Sequence, residues 1–182
     1  MLLNQQQIKD IKERKVTYVK NFISFGGEHE PKVFDFNVLA DHLHTYDNTS
    51  TMWRNVPEDL YAPQTHYILY ENFSVRGLEN REFFYPYVSF LDSIFKQTPN
   101  QKPTDCFMHI AFNSYAGPAH YDNEDVFITG LYGRTVIQTL PDKTDYILET
   151  GDMIFLPVYQ KHKGISLTPR IVMSMGMYNP CN

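Results

Sequence analysis

With 182 residues, the chain has room for one domain with a substantial core, and a single domain spanning 1–182 is expected. A formal net charge of −5, from 16 basic and 21 acidic residues without a long basic run, gives no signal for a nucleic-acid partner. No apolar stretch approaches the roughly 18 residues that a bilayer crossing needs, and the N-terminus lacks a signal peptide's apolar core, so a soluble, cytoplasmic protein with no membrane attachment is expected.

Residues 4–14 are polar, with Ile8 and Ile11 on one face, and predict a short peripheral helix. The β-rich runs 16–19 and 22–25 predict strands that stop at Gly26-Gly27. Asp35 can cap a helix over 36–46, with Val38, Leu39 and Leu43 on its apolar side. Turn formers crowd residues 48–63 around Trp53 and predict an ordered loop, followed by a short strand at 67–70. Tyr87, Phe90, Leu91, Ile94 and Phe95 recur at helical spacing over 85–97, and Thr98-Pro99-Asn100 ends that helix.

From Asp105 the character changes to short strands separated by tight turns, the pattern of an antiparallel barrel or jelly roll. Strands are predicted at 106–112, 126–131, 135–140, 153–156 and 171–177, with a further short one at 120–122. Turn chemistry lies at Tyr132-Gly133, Pro141-Asp142-Lys143 and Thr150-Gly151-Asp152. Aromatic residues make up 15% of the chain, which suits such a barrel better than a helical bundle. The first 104 residues read as a cover for a core at 105–178. Cys106 and Cys181 stand far apart and form no CxxC pair, so no zinc site or disulfide framework is indicated.

The chemistry concentrates in Gly117-Pro118-Ala119-His120-Tyr121-Asp122. Residues two apart in a strand point the same way, roughly 6–7 Å from each other, so His120 and Asp122 can reach one ion. The third ligand is expected to be His162, which follows the turn and apolar run from Gly151 to Pro157. Two imidazoles and one carboxylate with open positions opposite form the facial arrangement of non-haem Fe(II) oxygenases. A plainer reading of His162, within Gln160-Lys161-His162-Lys163, is a solvated surface histidine. His42 and His44 form a rival HxH pair, but on a helix positions i and i+2 diverge by about 200° and cannot share an ion. His29 and His66 read as ordinary loop histidines, and Glu124 and Asp125 as a solvated turn. His109, mid-strand with Phe107 and Ala111 on one face, lines a pocket if that face is interior, or is a satisfied core histidine.

Pro118-Ala119-His120-Tyr121-Asp122-Asn123, then Gly133, then Gly151-Asp152-Met153-Ile154-Phe155-Leu156-Pro157 ending at His162, resemble JmjC-type, cupin-like Fe(II)- and 2-oxoglutarate-dependent oxygenases. Within that family the nearest likeness is the asparaginyl hydroxylase of hypoxia-inducible factor, over roughly residues 105–178. The resemblance implies a mainly β fold with flanking helices, a double-stranded β-helix or jelly roll. It also implies Fe(II) held by His120, Asp122 and His162. It implies further that the cosubstrate 2-oxoglutarate chelates that iron and is decarboxylated to succinate as O2 is consumed and a C–H bond is hydroxylated.

Two departures from the family pattern bear on the cosubstrate. The position fifteen residues after His120, a lysine in that likeness, is Thr135 here, and the residue before Pro118 is Gly117 where the likeness has threonine. A buried carboxylate needs a charge-assisted partner, and Arg170 is the candidate: Arg170-Ile171-Val172-Met173-Ser174 resembles the last core strand of the prolyl hydroxylases, where an arginine a similar distance after the distal histidine makes that salt bridge, and arginine suits bidentate carboxylate recognition. The plainer reading of Arg170 is a surface residue after Pro169. The hydroxyls of Thr135 and Ser174, with His109, complete the expected cosubstrate site. The expected function is a hydroxylase acting on a protein side chain or a small molecule. The alternative is a non-oxidative cupin-like protein that binds a metal or ligand. The C-terminal helices by which larger relatives dimerise have no counterpart after Tyr178, so a monomer is expected.

Overall fold

The computed structural model describes residues 3–25, 37, 52–54, 72–75, 90, 102–112 and 116–178. Helix α1 covers Gln5–Lys12 and opens with a capping box, in which the Asn4 carboxamide accepts from the Gln7 amide and the Gln7 side chain accepts from Asn4 N, each at 2.8 Å. Among the described residues ten strands follow in chain order: β1 Thr17–Val19, β2 Met52–Arg54, β3 Asn72–Val75, β4 Lys102–Ala111, β5 Asp125–Tyr132, β6 Thr135–Thr139, β7 Thr144–Leu148, β8 Met153–Leu156, β9 His162–Ser166 and β10 Arg170–Tyr178. They form two antiparallel sheets, a large one ordered β1-β8-β5-β10-β4-β3-β2 and a small one ordered β7-β6-β9. Backbone bridges Ala116↔Ile165 and His120↔His162 lay residues 116–120 along the outer side of β9.

The inward faces follow from alternation. Val126 and Ile128 of β5, Ile154 and Leu156 of β8 and Val172 of β10 pack against Ile137 of β6 and Leu148 of β7, joining the two sheets. Each of these side chains contributes about 1.5–3 kcal/mol by leaving water. On the other face of the large sheet, Phe127 and Phe155 are cross-strand partners with ring centroids 5.0 Å apart. That sheet is therefore apolar on both faces along β5 and β8, whereas the small sheet turns Ile147 of β7 and Lys163 of β9 outward. Gly133 makes the β5–β6 turn at φ +71°, where an added Cβ would lie 2.1 Å from the Pro169 carbonyl oxygen.

The jelly-roll architecture expected from the sequence is present, with differences in detail. Residues 22–25 form no strand: Asn21 turns the chain at φ 51°, and Phe22 and Ile23 anchor it as buried side chains while Ile23 N donates to Gly151 O. The expected loop at 48–63 contains β2, which pairs with β3. Strands β7 and β9 were not expected; Thr144-Asp145 and His162-Lys163-Gly164 look like loop, yet both segments pair with β6. The expected strand at 67–70 and, apart from Asn37 and Phe90, the expected helices at 36–46 and 85–97 lie outside the described residues, as do His29, His42, His44 and His66. Among the described residues, no helix is long and apolar enough to cross a membrane.

Candidate functional site

His120, Asp122 and His162 come together where residues 116–122 meet the start of β9. Two backbone hydrogen bonds fasten the strands there: His120 N donates to His162 O at 2.9 Å, and His162 N donates to His120 O at 2.8 Å. The imidazole centroids are 4.5 Å apart, Asp122 Oδ2 lies 3.7 Å from His162 Nε2, and the ligand atoms of all three residues fall within 4.8 Å of one another. Among the described residues this is the one group of three or more His, Cys, Asp or Glu side chains able to hold a metal ion.

Both rings are oriented by the same device. His120 Nδ1 is 3.1 Å from Pro118 O, and His162 Nδ1 is 2.9 Å from Gln160 O, in each case a carbonyl two residues upstream. A carbonyl only accepts, so each Nδ1 carries the proton and each Nε2 keeps its lone pair for an ion. His162 is 4% exposed, and burial holds its pKa below the usual histidine value, with the neighbouring His120 acting in the same direction. The Gln160 carbonyl and Asp122 act in the opposite direction. A buried, neutral imidazole is the form that binds a metal. The surface-loop reading of His162 does not hold. The donor set fits a borderline divalent metal, and His120 is exposed, so the site opens to the surface.

The residues expected to bind a cosubstrate lie deeper between the sheets. Arg170, Val172 and Ser174 alternate on one face of β10, and Val172 belongs to the inter-sheet core, so all three face inward. His109 is the cross-strand partner of Val172 and shares that face. Thr135 shares the inward face of β6 with Ile137, and its hydroxyl donates to Ile165 O at 2.9 Å. That bond engages its single proton. Ser174 is likewise buried.

Arg170 is 6% exposed, and burial pushes its guanidinium down to about 10, still cationic at neutral pH. Its Nε donates to Ser166 Oγ at 2.8 Å and its Nη1 to His109 O at 3.3 Å, both neutral acceptors. Among the described residues no carboxylate pairs with it.

Three contributors were missed in the sequence. Ser166 orients Arg170. Gly164, partner of the inward Ile137, leaves open space between His162 and Ser166: an added Cβ would meet only Ile137 Cδ1, at 3.9 Å. Asp125, read as part of a solvated turn, is 4% exposed and accepts from Val158 N at 2.9 Å. Its place at the head of an apolar strand was the available signal.

No family model and no curated protein sequence matches the chain. Solved structures do. The ribosomal oxygenase YcfD from Escherichia coli, in complex with cobalt and 2-oxoglutarate, superposes with a TM-score of 0.67 at 19% identity, over 94% of this chain and 51% of that one. A second structure of the Escherichia coli enzyme gives 0.66 at 20% identity over 98% and 52%. A third, with cobalt and succinic acid, gives 0.62 at 18% identity over 94% and 51%. This chain spans about half the length of that oxygenase. At such identity the likeness establishes the fold, and it is the fold expected from the JmjC-type, cupin-like resemblance.

Proposed function

We propose that this protein is an Fe(II)- and 2-oxoglutarate-dependent oxygenase that hydroxylates a protein side chain or a small molecule. The observation that carries the reading is Arg170, a buried cation facing the same inter-sheet space as the histidine–aspartate cluster, without an anion of its own among the described residues. An unpaired buried charge is strongly unfavourable unless a ligand completes it. The anion that fits is a carboxylate, which a guanidinium grips through two N–H groups.

In this reading His120, Asp122 and His162 hold the metal through two Nε2 atoms and one carboxylate oxygen. Gly164 leaves room beside β9 for a short dicarboxylate. Arg170, kept in place by Ser166, takes its far carboxylate, and the Ser174 hydroxyl donates a further hydrogen bond. Thr135 serves as wall and as an anchor for β9. Val172 and Ile137 keep bulk water from the inner end, which strengthens the charge pairing there. The prime substrate enters from the side where His120 and Tyr121 are exposed. Iron, 2-oxoglutarate and dioxygen together supply the oxidation: one oxygen atom enters the substrate C–H bond, the other enters succinate, and carbon dioxide leaves.

Anaerobic titration with Fe(II), with and without 2-oxoglutarate, tests this. A weak visible charge-transfer band should appear only with both present and should vanish in Arg170→Met, which should still bind iron. Iron binding without any 2-oxoglutarate-dependent band in the wild type would favour the non-oxidative cupin-like reading.

A further inference from the structure

Pro157 to Gln160, between β8 and β9, form a turn closed by Gln160 N donating to Pro157 O at 3.0 Å. Tyr159 has φ 63°, and Val158 is not among the positive-φ residues, so this is a type II turn with tyrosine where glycine is the usual occupant. A non-glycine residue persists in that conformation only when its surroundings hold it there.

The holding contacts run directly to the candidate ligands. Tyr159 N donates to Asp122 O at 2.9 Å, and the Gln160 carbonyl accepts from His162 Nδ1 at 2.9 Å. Immediately before them, Val158 N donates to Asp125 Oδ1 at 2.9 Å, while Asp125 Oδ2 faces the Arg14 guanidinium at 3.6 Å. Asp125 is thus anchored to the end of α1 on one side and grips the turn on the other.

We propose that Asp125 is a positioning residue for the metal centre, resting on the reading of His120, Asp122 and His162 as metal ligands. By accepting the Val158 amide it keeps the turn in its strained geometry. The turn in turn keeps the Gln160 carbonyl on His162 Nδ1 and the Tyr159 amide on Asp122. The operative feature is the acceptor oxygen, and the ion pair with Arg14 secures the side chain.

The test is Co(II) titration of the whole chain, followed by visible absorption, with thermal unfolding of the metal-free protein measured alongside. Asp125→Ala removes the acceptor. Val158→Pro keeps the turn, because proline suits the second position of a type II turn, but removes the donor and sets a ring methylene against Asp125 in its place. Both should bind Co(II) about tenfold more weakly, the scale for losing an outer-sphere partner, with a changed d–d band. Asp125→Asn keeps an acceptor oxygen and should restore affinity and spectrum, although it unfolds at a lower temperature. Wild-type affinity and spectrum in a folded Val158→Pro protein would overturn the proposal, and that variant decides if Asp125→Ala does not fold. Asp125→Asn binding as weakly as Asp125→Ala would also overturn it, since charge would then be the operative feature. A wild type that binds no Co(II) would instead overturn the ligand assignment itself.

Discussion

Arg170 and Ser166 are joined by a 2.8 Å hydrogen bond from the guanidinium Nε to the hydroxyl, at the opposite end of β9 from His162. The serine fixes the direction of the arginine but is a neutral acceptor, and among the described residues no carboxylate compensates the charge. Arg170→Met should therefore weaken 2-oxoglutarate binding by about 2–4 kcal/mol, the scale for removing one member of a buried charge pair. In metal-free, ligand-free protein the same change should leave the melting temperature unchanged or raise it, because a desolvated charge is gone. Calorimetric binding and thermal unfolding read the two effects separately. Loss of stability without loss of 2-oxoglutarate affinity would make Arg170 a structural residue.

Arg134 provides the contrast. It points outward and lies 3.4 Å from Glu149, with both side chains half exposed, so the pair is worth less than about 1 kcal/mol. Arg134→Ala should leave 2-oxoglutarate affinity untouched. A large effect would mean that the cosubstrate site has to be redrawn around Arg134.

Replacing Asp122 by Ala should remove most metal affinity while the fold persists, because two imidazoles alone give too few ligands. Equilibrium dialysis against Co(II) measures it. Unchanged stoichiometry would discard the triad.

Gly164→Val and Gly133→Ala separate site from scaffold. A side chain at 164 enters open space between His162 and Ser166, so the variant should fold and bind metal but lose 2-oxoglutarate affinity by tenfold or more. At 133 a Cβ would run into the Pro169 carbonyl at positive φ, so that variant should lose stability. Equal 2-oxoglutarate affinity in Gly164→Val would place the cosubstrate elsewhere.

Tyr18 carries a pH-dependent contribution to stability. Its hydroxyl donates to Asp152 Oδ2 at 2.6 Å, and burial followed by that bond raises its pKa well above the usual tyrosine value of 10. Because the folded value is the higher one, the stabilisation is fully present below about pH 10, the unfolded value, and is lost as pH rises through the folded value. Tyr18→Phe should lower thermal stability near neutrality and flatten its alkaline decline. An unaltered alkaline profile would refute the assignment.

The strand-rich half of the fold was legible because its signals are local. Apolar runs such as 153–156 and 171–177 are bounded by Gly-Asp and Pro turn residues, and a strand buried on both faces looks apolar whatever pairs with it. His120 and Asp122 were legible as a pair because they lie two apart, although the short strand expected at 120–122 is only an isolated bridge at His120. His162 was named as the third ligand from its place after the Gly151–Pro157 turn and apolar run, and the resemblance supported it, although its own neighbours read as surface loop.

The tertiary structure decided the rest. Strands β7 and β9 exist because β6 pairs with both, and no local propensity in Thr144-Asp145 or His162-Lys163-Gly164 announces them. Whether Arg170 faces in or out depends on the register of β10 against β4 and β5, and a one-residue slip would have turned it to the other face. Asp125 was misread for a related reason. A carboxylate beside a turn looks solvated until the loop that returns from β8 sets an amide on it and α1 sets an arginine beside it. Sequence alone determines which residues are able to ligate, pair or bury; pairing between segments determines which of them meet, because that closure is set by the whole sheet.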